Sequence, residues 1–191
     1  MHKTGIAALK SALTTDIPQP EFSLMTTLVD HYRQQHGEMD ENYILSDCLD
    51  HFWAGVSTTA NGLAALVFRL SLPPDVAKQK RFLVEVSSAA SNEDLTGFSY
   101  LNSVVKETLR LHPPIIASLD RTTRTPVEVD GCPIASGMNI GAQAYSLHRN
   151  EDVFPSPDEW QPERWGVDTG SEQSRARSRH FFAFSESANV Y

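Results

Sequence analysis

Cysteine is nearly absent from the sequence, because the 191 residues include only Cys48 and Cys132, with no CxxC pair. Two isolated thiols provide no disulfide framework and favour a reducing, intracellular setting. The sequence also has no Asn-x-Ser/Thr sequon, and its first twenty residues contain too short an apolar core for a signal peptide. We therefore expect an intracellular protein in which both cysteines are ordinary buried thiols.

Long apolar runs and a surplus of basic residues are also missing. The uncharged stretch His51–Phe68 is long enough to span a membrane, but polar residues between Ser57 and Asn61 occupy its centre. Polar groups there would be costly in lipid, so we expect a buried helix and no membrane anchor in this chain. A formal net charge of −8 makes nucleic acid an unexpected partner.

Common catalytic motifs are absent as well. The sequence has no GxGxxG, Walker loop, HExxH or GxSxG, so a nucleotide-binding or hydrolase function has little support. A hydrophobic content of 40% and a charged content of 21% are typical of a globular protein. The length suits a single domain over residues 1–191, in which residues 1–22 are weakly patterned.

Three helices are predicted from apolar residues spaced by three or four. The longest covers residues 40–71, with Asp40 as N-cap, and at 1.5 Å per residue it would measure about 45 Å. A second helix should begin at Pro74, and a third should cover residues 98–112. The third should bury an inner stripe formed by four residues: Leu101, Val104, Val105 and Thr108.

After the third helix the hydrophobic period changes to two. Residues 126–146 form a predicted hairpin region with a turn at Asp130-Gly131, and the segment from Met138 could add a third strand. Residues 150–191 should be irregular, because prolines alternate with aromatic residues and the part from 167 to 179 is polar.

The stretch AGVSTTANG, residues 54–62, combines small residues with one hydroxyl on a single helix face. Gly55 and Gly62 each cost about 1 kcal/mol in a helix, a cost that a flat ligand lying on this face would justify. Close helix packing over small residues is an equally simple explanation, and on this stretch alone it is the favoured one. Thr58 could also bond back to a carbonyl one turn earlier.

Two further stretches contain candidate ion pairs. Glu107 and Arg110 in KETLR have helical i, i+3 spacing, and such pairs are usually solvated and weak. Arg164 in QPERW lies among aromatic residues and prolines, so its side chain should be packed. Two guanidinium groups could share one carboxylate and form a Glu–Arg–Arg network.

The ordered set AGVSTT, ETLRLHPP, a hairpin, HRNEDVFPSPDEWQPERW and FFAFS resembles the cytochrome P450 family of haem-thiolate monooxygenases. The resemblance covers about residues 25–191 and is strongest to fungal and other eukaryotic microsomal members. It implies part of that fold, mainly α with a small antiparallel β-sheet. It also implies a haem cofactor, a small organic substrate, an NADPH-cytochrome reductase as partner, and the endoplasmic reticulum membrane for an intact relative.

The resemblance assigns roles to individual residues. Thr58 matches the threonine that helps deliver protons on the oxygen-binding side of the haem, and Ser57 stands where the family usually has an acidic residue. Glu107, Arg110 and Arg164 match the structural triad. Three residues match cofactor-contacting positions, namely Gly55, Arg121 at a propionate-binding position, and Phe184 at the start of the haem loop. His148 could lie near the propionates or be a satisfied loop histidine.

The end of the sequence departs from the family pattern. Aligned on Phe184, Ser187 replaces a glycine, Asn189 replaces an arginine, and Tyr191 occupies the position of the iron-ligating cysteine. We therefore expect no metal ligand in this chain, a truncated family member, and no activity from the chain alone. The other hypotheses are a haem-free remnant that binds a protein partner and an unrelated α+β binding domain. The three arginines of residues 175–179 could face a redox partner or simply solvent.

Overall fold

A computed structural model of the protein describes residues 31–32, 34–35, 41–89, 92–166 and 170–184. The chain divides into two compact units, residues 1–58 and 59–191. Residues 1–22, expected to be weakly structured, lie outside the described residues. The described residues of 31–35 are helical.

Helix α1 is Glu41–Ser71, close to the helix expected over 40–71. Asp40, its expected N-cap, lies outside the described residues. The helix is followed by a 3₁₀ turn at Pro73–Asp75, and helix α2 is Val76–Ser87. The α-helical part of the second helix therefore begins two residues after the expected Pro74, because the two prolines form the tighter turn and Val76 N–H bonds back to Pro73 O.

Helix α3 is Ser99–Leu111, after a 3₁₀ helix at Asn92–Gly97. Of the expected inner stripe, Val104 and Thr108 are buried, whereas Leu101 and Val105 are only half-buried. The rest of the buried face consists of five other residues: Tyr100, Ser103, Glu107, Arg110 and Leu111. The expected stripe is therefore wrong in part, because a pattern of apolar residues cannot register a charged pair that is buried and fully bonded.

The N-terminus of α3 is capped by a side chain from another helix. Glu85 of α2 accepts hydrogen bonds from the main-chain N–H groups of Tyr100, at 3.0 Å, and Leu101, at 2.7 Å. These two donors lie in the first turn, where a helix has no internal partners for its N–H groups. The carboxylate also complements the positive end of the helix dipole.

The four described strands form two separate antiparallel pairs. Strands β2, Val127–Val129, and β3, Cys132–Ile134, pair with Val129 opposite Cys132. The turn between them holds Asp130 at φ 48° and Gly131 at φ 75°, the left-handed geometry that Asp-Gly adopts most readily in a two-residue hairpin.

The expected third strand exists but does not extend this hairpin. Strand β4, Asn139–Ala142, pairs with β1, Leu119–Thr122, which the sequence pattern does not predict. In sequence, the hairpin formed by β2 and β3 therefore lies between β1 and β4, the two strands of the other sheet. Its residues are mostly exposed, and Cys132 is exposed too, so the expectation of a buried thiol there is wrong. Cys48 is half-buried, and burial raises the pKa of its thiol.

Residues 150–191 are less irregular than expected. After the short helix α4, Ala144–Leu147, the chain forms a 3₁₀ turn at Pro162–Trp165 and helix α5 at Glu172–His180. The hydroxyl of Ser171 accepts a hydrogen bond from Ser174 N–H, so it acts as the N-cap of α5. This cap and the arginines in the last turn stabilise a polar helix that has no apolar stripe. That missing stripe is the reason the helix escaped prediction.

The main hydrophobic core lies in the second unit, where α1, α2 and α3 contribute to one cluster. Its buried members are Leu70, Tyr100, Val104, Leu111 and Trp160, with Leu66 and Phe82 packed against them. The fold class, mainly α with small antiparallel sheets, is confirmed. Within the described part of the chain, no helix has both the length and the apolar character required to cross a membrane.

Candidate functional site

The most densely bonded group in the described residues is the carboxylate of Glu107, which is fully buried. It accepts two hydrogen bonds from Arg110, at 2.9 and 3.0 Å, and one from Arg164 Nε at 3.0 Å. Gln161 main-chain N–H and Trp165 Nε1–H, both at 2.9 Å, complete the set. Five donors therefore converge on two oxygens, which fixes the orientation of the carboxylate and compensates it for the loss of water.

Arg110 uses all five N–H donors of its guanidinium group although its side chain is fully buried. Besides its two bonds to Glu107, it donates to the main-chain oxygens of His148 and Pro157, both at 2.7 Å, and to Glu159 O at 3.1 Å. These carbonyls belong to the segment that follows α4. Arg110 therefore ties that segment to α3 through main-chain atoms, whatever side chains the segment has.

Arg164 is presented to Glu107 by the 3₁₀ turn at Pro162–Trp165, whose first residue is a proline suited to starting a helical turn. Its guanidinium is almost fully buried and also donates to Pro155 O at 3.2 Å. The structure thus brings Glu107, Arg110 and Arg164 together, as the family resemblance implies. A solvated, weak pair, the usual outcome for i, i+3 spacing, does not occur here because tertiary packing buries both partners.

The network carries one more positive charge than negative charge, since two guanidinium groups share one carboxylate. In water this would matter little, but the side chains are buried, where an uncompensated charge is costly. Main-chain carbonyl oxygens solvate the excess charge. Removing one charged partner from such a network is costly because the remaining charges stay buried.

His148 lies beside this network and is fully buried. Its Nδ1 is 2.8 Å from Arg110 O, and its Nε2 is 2.7 Å from the main-chain nitrogen of Phe182. Burial lowers the pKa of His148 to about 4, and the nearby Arg110 and Arg149 act in the same direction. Of the two positions considered for this residue, the structure supports the satisfied loop histidine, because both ring nitrogens bond to main-chain atoms.

In the first unit, the small-residue stretch of α1 presents an open surface. Among the described residues, apart from its chain neighbours and the backbone of its own helix, no atom lies within 4 Å of the place where a Cβ on Gly55 would stand. Thr58 is half-buried and donates its hydroxyl hydrogen to Ala54 O at 2.7 Å, so its oxygen can still accept a hydrogen bond. Ser57 is half-buried. Gly55 is therefore not explained by close packing among the described residues of this unit.

In the second unit, an added Cβ on Gly62 would lie 3.7 Å from the side chain of Leu109, an ordinary van der Waals contact that does not require glycine. Arg121 is exposed on β1, and Phe184 is 76% exposed. The structure therefore places neither of these two in the Glu107 network. Ser187, Asn189 and Tyr191 lie outside the described residues.

Sequence reasoning missed two members of the Glu107 network, Trp165 and Gln161, both of which donate hydrogen bonds to Glu107. It also missed a neighbouring pair, in which Glu163 accepts a hydrogen bond from Tyr100 Oη at 2.9 Å. Burial, and then the contact with Glu163, raise the pKa of Tyr100 well above its ordinary value. For Trp165 a sequence signal was available, because the residue follows Arg164 in PERW and that arginine was expected to be packed. No sequence signal identifies the main-chain N–H of Gln161, because every residue except proline has a main-chain N–H group.

Comparison with known proteins identifies the family of the chain. The family model described as Cytochrome P450 matches residues 10–186, which is most of the chain. The chain belongs to the cytochrome P450 family. The suspected resemblance is thereby confirmed.

Cytochrome P450 relatives come from several kingdoms. Cytochrome P450 3A29 of Sus scrofa is 28% identical over 171 residues, which cover 84% of this chain and 33% of the relative. N-acetyltryptophan 6-hydroxylase ivoC of Emericella nidulans is 30% identical over 179 residues, covering 89% of this chain and 33% of the relative. The chain therefore spans about a third of the length of these curated relatives.

Among solved structures, the retinoic acid-bound cyanobacterial CYP120A1 is similar to the chain with a TM-score of 0.76. The match covers 96% of this chain and 42% of the cyanobacterial protein at 19% identity. At that identity the similarity concerns the cytochrome P450 fold alone.

The family and fold imply a haem cofactor. Each unit, taken by itself, has one described feature that suits part of a flat, anionic group of this kind. The helix surface at Gly55 is open, and Arg121 presents an exposed cation that can pair with a carboxylate such as a propionate. The position that aligns with the iron ligand, residue 191, lies outside the described residues, so the fit concerns only the surroundings of haem.

Proposed function

We propose that this protein acts as a cytochrome P450 monooxygenase that binds haem and oxidises a small organic molecule. When bound, haem supplies the iron chemistry by which one oxygen atom of O₂ is inserted into the substrate and the other is reduced to water. The Glu107 network is the observation that carries the proposal, since it joins the two motifs through which the sequence resembles the family. The family match over residues 10–186 supports it independently.

The proposed role of Thr58 is to relay protons. Its hydroxyl hydrogen bonds Ala54 O, which orients the oxygen, and the oxygen's lone pairs remain available to accept a proton-bearing partner. Ser57, in the place of the family's acidic residue, can extend such a hydrogen-bond chain but cannot hold a negative charge at neutral pH. We therefore expect proton delivery to depend on hydroxyl groups and bound water.

The proposed role of Arg121 is to pair with a haem propionate, and that of Gly55 is to leave room for the flat ring on its helix face. Phe184 would stand at the start of the haem loop. Glu107, Arg110 and Arg164 are structural residues in this proposal. Glu107 and Arg110 are fully buried and use their bonding groups within the chain, and Arg164 is almost fully buried and pairs with Glu107.

Haem titration of the purified chain tests the proposal directly. A thiolate-type Soret band in the reduced, carbonyl-bound state would support the monooxygenase, because that band reports a cysteine ligand. Absence of any saturable haem uptake would overturn it. Uptake without the thiolate signature would show haem binding through another ligand and would exclude the family chemistry for this chain.

A matched pair of variants assigns the propionate contact. Arg121→Gln should weaken haem binding several-fold, whereas Arg124→Gln, also exposed and three residues away, should leave it unchanged. Neither substitution should alter stability by more than about 0.5 kcal/mol, because both side chains are exposed. Equal haem affinity in both variants would remove Arg121 from the proposed site.

The second candidate function is a haem-free protein-binding role. The sequence departures at Ser187, Asn189 and Tyr191 favour it, since they remove the glycine, arginine and cysteine of the family loop. The same departures underlie the proposal that the chain alone is inactive. No haem uptake by a stably folded chain is the result expected for this candidate.

The remaining proposals concern the setting of the intact activity. An NADPH-cytochrome reductase is the proposed electron donor, and the endoplasmic reticulum membrane the proposed location, as in eukaryotic microsomal members. The three arginines of α5 could contact an acidic redox partner, but Arg175 and Arg179 already pair with Glu172, at 3.6 and 2.7 Å. Solvated surface residues remain the simpler explanation for Arg175 and Arg179, whereas Arg177 is half-buried and donates to Arg164 O.

A further inference from the structure

We propose that His148 is a positioning residue whose imidazole, in its less common Nδ1–H tautomer, fastens the chain at Phe182 to the C-terminal end of α3. The ring connects two main-chain atoms that lie 72 positions apart in the sequence, Arg110 O and Phe182 N. The connection continues on the other side, because Arg110 Nη1 donates to His148 O at 2.7 Å.

The two partners of the ring determine the position of its proton. Arg110 O can only accept, so Nδ1 must carry a hydrogen. The main-chain nitrogen of Phe182 can only donate, so Nε2 must be without one. Both requirements select the same neutral form. A protonated imidazolium would point an N–H at another N–H and lose the bond to Phe182.

Aromatic packing holds the ring and the fastened segment together. Phe181 stacks on His148 with ring centroids 5.6 Å apart and an interplanar angle of 16°. On another side, Phe181 meets Trp165 edge-on at 5.3 Å, and Trp165 is bonded to Glu107. The segment at Phe181–Phe182 is therefore attached to the Glu107 network by ring contacts and by one hydrogen bond through His148.

This attachment bears on function because the fastened residues lead in sequence towards Phe184 and the positions that align with the family's haem loop. That bearing rests on the proposed function. The positioning role itself rests only on contacts within the described residues, so it can be tested without haem, and its failure is distinguishable from failure of haem binding.

The tautomer of His148 in the unaltered full chain is the first test and requires no variant. Nitrogen-15 NMR of the imidazole separates a protonated from an unprotonated ring nitrogen. We expect protonated Nδ1 and unprotonated Nε2 at neutral pH. The opposite tautomer, or a ring charged at neutral pH, would overturn the proposal.

Two substitutions then separate the two edges of the ring. The amide of His148→Asn can replace the Nδ1 edge and keep a donor for Arg110 O, whereas that of His148→Gln can reach the Nε2 edge and keep an acceptor for Phe182. Hydrogen exchange at the Phe182 amide should accelerate by about tenfold or more in H148N and by much less in H148Q. H112N is the control, since His112 is another histidine that contacts an arginine but is only half-buried, and its substitution should leave this exchange rate unchanged.

The pattern of exchange rates decides the question. Acceleration in H148N alone supports a positioning role exerted through Nε2. Equal acceleration in H148N and H148Q would show that only packing of the ring matters and would overturn the proposal, as would no change in either variant. If H148N does not fold, the tautomer of the unaltered chain remains decisive.

Discussion

The Glu107 network and the small-residue stretch at Gly55–Thr58 are opposites in their bonding. Glu107 is fully buried, and its two oxygens accept five hydrogen bonds from four residues. In the part of the chain that the structure describes, an added Cβ on Gly55 would meet no other side chain within 4 Å, and the hydroxyl of Thr58 bonds within its own helix. Both regions carry residues that match motifs of one family.

The difference separates two kinds of motif residue. Residues of the first kind are recognisable because the fold needs them, and their partners are all within the chain. Residues of the second kind leave surface and bonding capacity available, as expected where a cofactor or substrate is handled. Substitutions of the first kind should therefore lower stability, and those of the second kind should change binding or turnover at nearly constant stability.

The largest expected effect is at Glu107. Glu107→Ala should lower the free energy of unfolding by about 3–5 kcal/mol, because two guanidinium groups stay buried without their counter-charge. Urea denaturation followed by circular dichroism measures the change. Glu128→Ala, on the exposed strand β2, is the control and should change stability by no more than about 0.5 kcal/mol. Equal losses of stability in the two variants would show that the Glu107 network is no more important for stability than an exposed glutamate.

The pH dependence of stability should reflect His148. Burial lowers the pKa of His148 in the folded chain to about 4, from an ordinary value of 6.5, so the unfolded chain binds the proton more tightly between these values. The stabilisation is therefore complete above about pH 6.5 and is lost progressively as the pH falls towards 4. Its size is about 3 kcal/mol at most, because one pKa unit corresponds to about 1.4 kcal/mol.

Unfolding experiments at several pH values between 7 and 4 measure this loss, with H148Q as the variant in which it should be reduced. The charged groups acting on the ring are Arg110, Arg149 and Glu107, of which the arginines lower its pKa and Glu107 raises it. Burial lowers the pKa of His112 as well, so H112N is needed to subtract the second contribution. A pH profile identical in the unaltered chain and H148Q would contradict the assignment.

Removal of the cap on α3 should have a smaller effect. Glu85→Ala leaves the N–H groups of Tyr100 and Leu101 without their acceptor, and we expect a loss of about 1–2 kcal/mol in thermal or urea unfolding. Glu85→Gln keeps an acceptor oxygen and should lose less than the alanine variant. A loss of the same size in both would show that charge, rather than hydrogen bonding, is responsible.

The smallest effect on stability is expected at Thr58. Thr58→Val removes one half-buried hydroxyl that bonds within its own helix, and it should change the free energy of unfolding by less than about 0.5 kcal/mol. Under the proposed function it should nevertheless reduce the fraction of consumed O₂ that appears in product, measured in the haem-loaded protein. Thr59→Val is the neighbouring control. A large loss of stability in the Thr58 variant would show that this residue, like Glu107, is needed for the fold.

Local sequence patterns predicted the elements whose chemistry is local. The helix Glu41–Ser71 follows from apolar spacing, and the hairpin follows from Asp130-Gly131, since that pair adopts positive φ angles at low cost. Helix α5 was missed because its stability comes from a Ser171 cap and charged side chains, not from an apolar face. The pairing of β4 with β1 was missed because strand partners distant in sequence leave no local pattern.

By itself the sequence determined the family, the order of the helices and the identity of the triad residues, because these depend on residue type and spacing. Only the tertiary structure decided that Glu107 and its arginines are buried, that His148 connects Arg110 to Phe182, and that Glu85 caps another helix. The physical reason is that a charged or titratable side chain has no fixed environment in sequence. Its burial, protonation and partners are set by main-chain carbonyls and N–H groups that every residue type supplies and that only the folded chain brings within reach.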